Sequence, residues 1–119
     1  MNDKNDKHVD HDVLSTLQEV MEEGYADLLS IFLADSEDRL NILRTADSVA
    51  LLIATAHSFK GSSSNMGAVK LSDLCHQLEQ QARSSPWAGI QELVREIDHE
   101  FAGIRPLYEA ERQRCTAKI

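Results

Sequence analysis

Apolar residues recur at steps of three and four along most of the chain. Val13, Leu14, Leu17, Val20 and Met21 share one side of a short segment that starts near Asp12 and closes at Gly24. From about Tyr25 to Thr45 the stripe is Leu28, Leu29, Phe32, Leu33, Leu40 and Leu43, interrupted by Ser36. Such spacing turns one side of a helix toward a core. A third segment starts after Asp47 or Ser48, either of which can cap it by accepting from its free N–H groups. Its stripe, Leu52, Ala56, Phe59, Ser63 and Met66, stops at Gly67, where a left-handed C-terminal residue is natural. A fourth helix over about Lys70 to Ser84 carries Leu71, Leu74, Cys75, Leu78 and Ala82. Ser84-Ser85-Pro86 breaks it, and Pro86 suits the first turn of a fifth. That fifth helix shows Ile90, Leu93, Val94, Ile97, Phe101, Ile104 and Tyr108, and Pro106 is expected to kink it or end it near Gly103 to Arg105.

Four long amphipathic helices with short links predict an all-α, antiparallel four-helix bundle, with the short first helix covering one end. Residues 1–10 are polar, charged and aperiodic, which predicts a disordered N-terminal tail. The bundle domain is expected over 11–112, and 113–119 as a frayed C-terminal tail. The 119 residues make one domain, and five Gly and two Pro leave few breaks in it.

A net charge of −8 argues against nucleic acid or an anionic membrane as partner. No apolar run approaches the roughly 18 residues of a membrane span, and the first residues lack the apolar core of a signal peptide. Cys75 sits on a helix stripe and Cys115 in a polar stretch, so no disulfide framework is expected and a reducing cytoplasm fits.

The candidate chemistry lies in Ala56-His57-Ser58-Phe59-Lys60-Gly61-Ser62-Ser63-Ser64-Asn65-Met66-Gly67-Ala68. Residues three and four apart share a helix face. His57, Lys60 and Gly61 therefore form one patch: a nucleophile, a cation and a position without a side chain. Such a patch suits receiving a phosphoryl group. Gly61 to Asn65 forfeits roughly 2–3 kcal/mol of helix propensity, yet the apolar stripe continues through it. Small residues there let another protein approach closely. His57 follows a core-stripe residue by one position, about 100° around the helix, which sets it at the stripe's edge. The other histidines are less well placed. His76 adjoins Cys75, but adjacent helix positions do not face one another. His99 lies between Asp98 and Glu100 on a charged face. No metal site is expected, and the Glu-x-x-His pairs of a carboxylate-bridged metal bundle are missing.

This run, followed by Leu71-Ser72-Asp73-Leu74-Cys75-His76-Gln77-Leu78-Glu79-Gln80-Gln81-Ala82-Arg83, resembles the signature of histidine-containing phosphotransfer (HPt) domains. The likeness is close over Leu52 to Arg83, and the helical pattern extends it over most of 12–110. It implies a stand-alone phosphocarrier, not a conventional enzyme. His57 would accept a phosphoryl group from a receiver-domain phospho-aspartate, on a hybrid sensor kinase, and pass it to a response regulator. Lys60 would offset the incoming charge, and Gly61 would give access. HPt domains carry a Gln or Glu 22 positions after the histidine that orients the ring; here that is Glu79. No cofactor is implied, the receiver supplying the aspartate and its Mg²⁺. The docking patch is expected around His57, at Ser58, Ser62, Ser64 and Asn65, with Met21 and Leu28 from the first two helices. A monomer is expected. The alternative is a module of the same shape that binds and sequesters receivers without transfer.

Overall fold

Ser48 starts the helix that carries His57: its Oγ accepts from the Leu51 N–H at 3.0 Å. Asp10 does the same for the first helix, its Oδ1 accepting from Asp12 N–H at 3.0 Å. The computed structural model describes residues 7–84, 87 and 89–116. The order is α1 (His11–Met21), a 3-10 turn (Glu22–Gly24), α2 (Tyr25–Thr45), α3 (Val49–Asn65), α4 (Val69–Ser84) and α5 (Ile90–Thr116). The four long helices form the bundle. α3 packs most extensively on α4, and α5 closes against α2 and α4.

The predicted stripes meet in one core. Leu29, Leu40, Leu52, Ala56, Phe59, Leu71, Leu78 and Ile97 are almost wholly excluded from solvent. Phe32 stacks edge-on to Phe101, with ring centroids 6.4 Å apart, and tilts against Tyr108 at 4.9 Å. The Tyr108 hydroxyl donates to the Met66 carbonyl at 2.7 Å, which ties α5 to the corner between α3 and α4. Gly67 makes that corner with φ +76°, and a Cβ there would stand 2.8 Å from the Asp10 carbonyl oxygen. Only glycine fits both the dihedral and the approach. Both cysteines are free, and burial pushes the Cys75 thiol up to about 12 against the opposing charge of Arg39.

The described chain departs from the sequence expectations at its margins. The tail expected over 1–10 is structured from His8 onward, and residues 1–6 lie outside the described ones. Val9 is fully buried, Asp10 N–H donates to the Gly67 carbonyl at 2.7 Å, and His8 Nδ1 lies 2.9 Å from Glu100 Oε2. Glu100 is itself buried, so this contact supplies the polar partner that a buried carboxylate requires. At the other end α5 continues to Thr116 instead of fraying at 113; Arg114 Nη2 donates to Gln18 Oε1 at 3.0 Å. Residues 117–119 lie outside the described ones.

Pro106 does not end α5. The ring leaves the Ala102 carbonyl without its helix donor, but Ala102 and Pro106 are both exposed, so water can serve that carbonyl. Buried Ile104 and Tyr108 hold the helix to the core on either side. α5 begins at Ile90, later than the expected start near Pro86, which is outside the described residues. On α1 only Leu14 is fully buried, and Val20, expected on the apolar side, is 72% exposed.

Candidate functional site

The face of α3 opposite its core stripe carries the predicted patch. Ala56 is fully buried, and His57, one position on, has a side chain 68% exposed. On α4, Glu79 lies beside buried Leu78 and is only 4% exposed. The two helices are pinned close by, where the Ser72 hydroxyl donates to the Lys60 carbonyl at 3.1 Å. That seam sets Glu79 Oε2 3.1 Å from His57 Nδ1.

Two cations share the same carboxylate. Lys60 Nζ is 3.2 Å from Oε1, an ion pair and not an aligned hydrogen bond. Arg83 Nη2 donates to Oε2 at 3.0 Å from one turn further along α4. Burial is the largest single influence on the carboxylate and opposes ionisation. The Arg83 hydrogen bond, the close Lys60 ammonium and the His57 charge together outweigh burial and hold the carboxyl down to about 2. The carboxylate is thus ionised at neutral pH and accepts a proton-bearing Nδ1. That leaves the lone pair of a neutral ring on Nε2, which makes no hydrogen bond among the described residues.

The structure therefore brings His57, Lys60 and Glu79 together. Gly61 is exposed and helical, and a Cβ added to it would meet nothing within 4 Å. Ser58, Ser64 and Asn65 are exposed on the same helix. Ser62 is half-buried; its hydroxyl donates to the Phe59 carbonyl at 3.3 Å and accepts from Arg39 at 3.5 Å. Met21 is 39% exposed, whereas Leu28 packs partly against the core. Leu28 does not adjoin the imidazole. α2 and α3 run antiparallel from the link at 46–48, and at 1.5 Å per residue Leu28 is roughly 14 Å along the axis from the level of His57. His76 and His99 are both exposed, and for His99 this agrees with the charged face on which it was read.

Sequence reasoning missed Arg83. Its signal was present: Glu79 and Arg83 stand at i and i+4, the spacing of a helix ion pair.

Among the described residues, no group of three or more His, Cys, Asp or Glu is arranged to hold a metal ion, and no helix is long and apolar enough to cross a membrane. A search of the curated proteins finds no match. The crystal structure of histidine-containing phosphotransfer protein B (HptB) from Pseudomonas aeruginosa PAO1 matches with a TM-score of 0.86. The identity is 47%, over 90% of this chain and 96% of that one. The family model described as "Hpt domain" matches residues 27–105, a span that contains His57, Lys60, Gly61, Glu79 and Arg83. The match covers more than half of the chain, and the chain belongs to the Hpt domain family.

Proposed function

We propose that this chain is a phosphorelay intermediate that takes a phosphoryl group onto His57 Nε2 and hands it on. The donor is a phospho-aspartate in the receiver domain of a hybrid sensor kinase. The acceptor is the aspartate of a response regulator. The observation that carries the reading is the 3.1 Å contact between Glu79 Oε2 and the Nδ1 of a ring that is otherwise largely exposed.

In the forward step the Nε2 lone pair forms an N–P bond as the acyl P–O bond breaks. The donor aspartate leaves as a carboxylate with the electron pair. The ring gains positive charge while Nδ1 keeps its proton. Held at about 2, Glu79 is not a base at neutral pH. It supports the step by facing that developing charge and by fixing the ring, and transfer of this kind depends chiefly on alignment and charge. The return step is the same displacement reversed. Hpt domain proteins carry no cofactor of their own, and Mg²⁺ comes with the receiver.

Docking is proposed over Ser58, Gly61, Ser64 and Asn65, with Ser62 at the rim and Met21 and Leu28 further along the bundle. Apart from His57, Lys60 is the only ionisable side chain on α3. Recognition then rests on shape more than on charge pairs, and affinity is weakly salt-dependent. Transfer profiling with labelled phospho-receivers tests the proposal. It predicts acid-labile, base-stable label on this chain that discharges onto a subset of receivers. Receiver binding without label would instead identify a sequestering module.

A further inference from the structure

Trp87 is the chain's only tryptophan, and it stands half in solvent just before α5, 50% exposed. Its φ is +75°, a left-handed backbone that a bulky side chain adopts only against strain. The chain holds an indole outside the core in spite of that strain. The indole lines a cavity of about 270 Å³ between the end of α2 and the start of α5. Buried Leu43, Leu52, Ile90 and Val94 give the cavity its apolar lining.

The charge in the lining comes from Arg44, Arg95 and Asp98. Arg44 is committed. Its Nε and Nη2 donate to the two oxygens of Asp98 at 2.9 and 2.6 Å, and its Nη1 donates to Asn41 Oδ1 at 2.8 Å. Arg95 is held more lightly. Its Nη2 donates to Glu92 Oε1 at 2.7 Å, one turn back on α5, between side chains 70% and 65% exposed. Such a surface pair contributes little, so another anion can displace Glu92. Two guanidinium groups thus line the cavity with one carboxylate, a local positive excess on a chain of net charge −8. Leu52 is the residue by which α3 lines the cavity. It stands five residues from His57, about 140° around the helix, so the cavity lies on another side of α3 from the imidazole.

We propose that this cavity binds a small aromatic carboxylate, its ring among the apolar lining beside Trp87 and its acid group on the Arg95 guanidinium. The volume lies at the lower edge of the range for ligand pockets, which suits one ring and its acid group. Aromatic rings pack favourably on indole, and a guanidinium matches a carboxylate with two parallel N–H···O bonds. Binding makes and breaks no covalent bond. The site is separate from His57, so the inference stands apart from the assignment of the phosphoryl acceptor.

The test is an NMR titration of the isotope-labelled full chain with phenylacetate, with phenylacetamide and acetate as controls. Phenylacetate is expected to saturate with a Kd on the order of 1 mM, within reach of about ten heavy atoms. The Trp87 indole N–H and the amides of Arg44 and of Ile90 to Arg95 should shift, while those of His57, Lys60 and Gly61 stay in place. Phenylacetamide has the same ring without the charge and should bind about fivefold more weakly. Acetate, without the ring, should not saturate. Arg95→Gln, at an exposed helix position, should weaken phenylacetate about fivefold and leave phenylacetamide unchanged. Trp87→Ala should weaken both. The advantage of acid over amide should shrink in about 0.5 M salt. Equal binding of acid and amide, or an undiminished affinity in Arg95→Gln, overturns the proposal. So does an absence of saturation up to about 20 mM. Shifts that map to Lys60 and Arg83 overturn it as well, because phenylacetate would then be a counter-ion of the Glu79 cluster.

Discussion

Glu79 on α4 reaches across the helix seam to within 3.1 Å of His57 Nδ1 on α3. The contact joins a nearly buried carboxylate to a largely exposed ring, so one partner is fixed by the fold and fixes the other. Glu79→Ala should leave His57 free to rotate and to change tautomer. Loss of a charge-assisted hydrogen bond of this kind corresponds to about a 10- to 100-fold slower phosphorylation. Some transfer should remain, because the nucleophile remains. A labelling time course checks this, and complete loss in a variant with unchanged helical circular dichroism would contradict the orienting role.

The same carboxylate should leave a mark on acid stability. Burial, the largest influence, disfavours its charge, but Arg83, Lys60 and His57 win, and the carboxyl falls from 4.5 to about 2. A group whose native value lies below its unfolded value binds fewer protons when folded. Its stabilisation is complete above about 4.5 and is lost as pH falls toward 2. Asp98 is also lowered, chiefly by its Arg44 hydrogen bond; Glu111 is lowered because the Arg114 and Tyr25 bonds outweigh its burial. Both act alike in the native protein and in Glu79→Gln, so they cancel in a comparison. Urea unfolding at pH 5, 3.5 and 2 should show the stability gap between native and Glu79→Gln narrowing as pH falls. A constant gap would mean that Glu79 does not titrate as the ion cluster requires.

Gly61 is a helical glycine that no neighbour demands, since a Cβ there would touch nothing within 4 Å. The packing of this chain gives no reason for it, which points to the approach of a partner. Gly61→Ala should stabilise the fold by up to about 1 kcal/mol and keep transfer. Gly61→Gln should keep the fold and slow transfer at least tenfold, by standing beside the imidazole where the receiver must come. Thermal unfolding and transfer kinetics on the two variants separate these effects, and an undiminished rate in Gly61→Gln would remove the access argument.

Much of the site was legible because it is written in helix periodicity. The stripe through Leu52, Ala56 and Phe59 set the core face, and His57 followed one step around from it. The cap at Ser48 and the left-handed Gly67 came from local chemistry that a short window contains. Val9 and His8 were not legible, because one apolar residue in a charged run has no period and the partner of His8, Glu100, lies far along the chain. Pro106 obeys the local rule of removing a helix donor, yet core contacts through Ile104 and Tyr108 carry the helix past it. Val20 belonged to a stripe of the right spacing, but α1 is too lightly packed to cover it. Arg83 stood at the readable i+4 spacing from Glu79. Its place in the site follows only once Glu79 is known to face α3, a fact of packing and not of pattern.

The most direct measurement is mass-spectrometric and radiolabel mapping of the phosphorylated residue after incubation with a phosphorylated receiver, on the native chain and on His57→Gln. The native chain should carry one acid-labile, base-stable phosphoryl group, on His57. His57→Gln should fold to the same helical content and carry none. Substantial acid-labile label surviving in His57→Gln, on any of the other four histidines, would contradict the assignment of His57 as the phosphoryl acceptor.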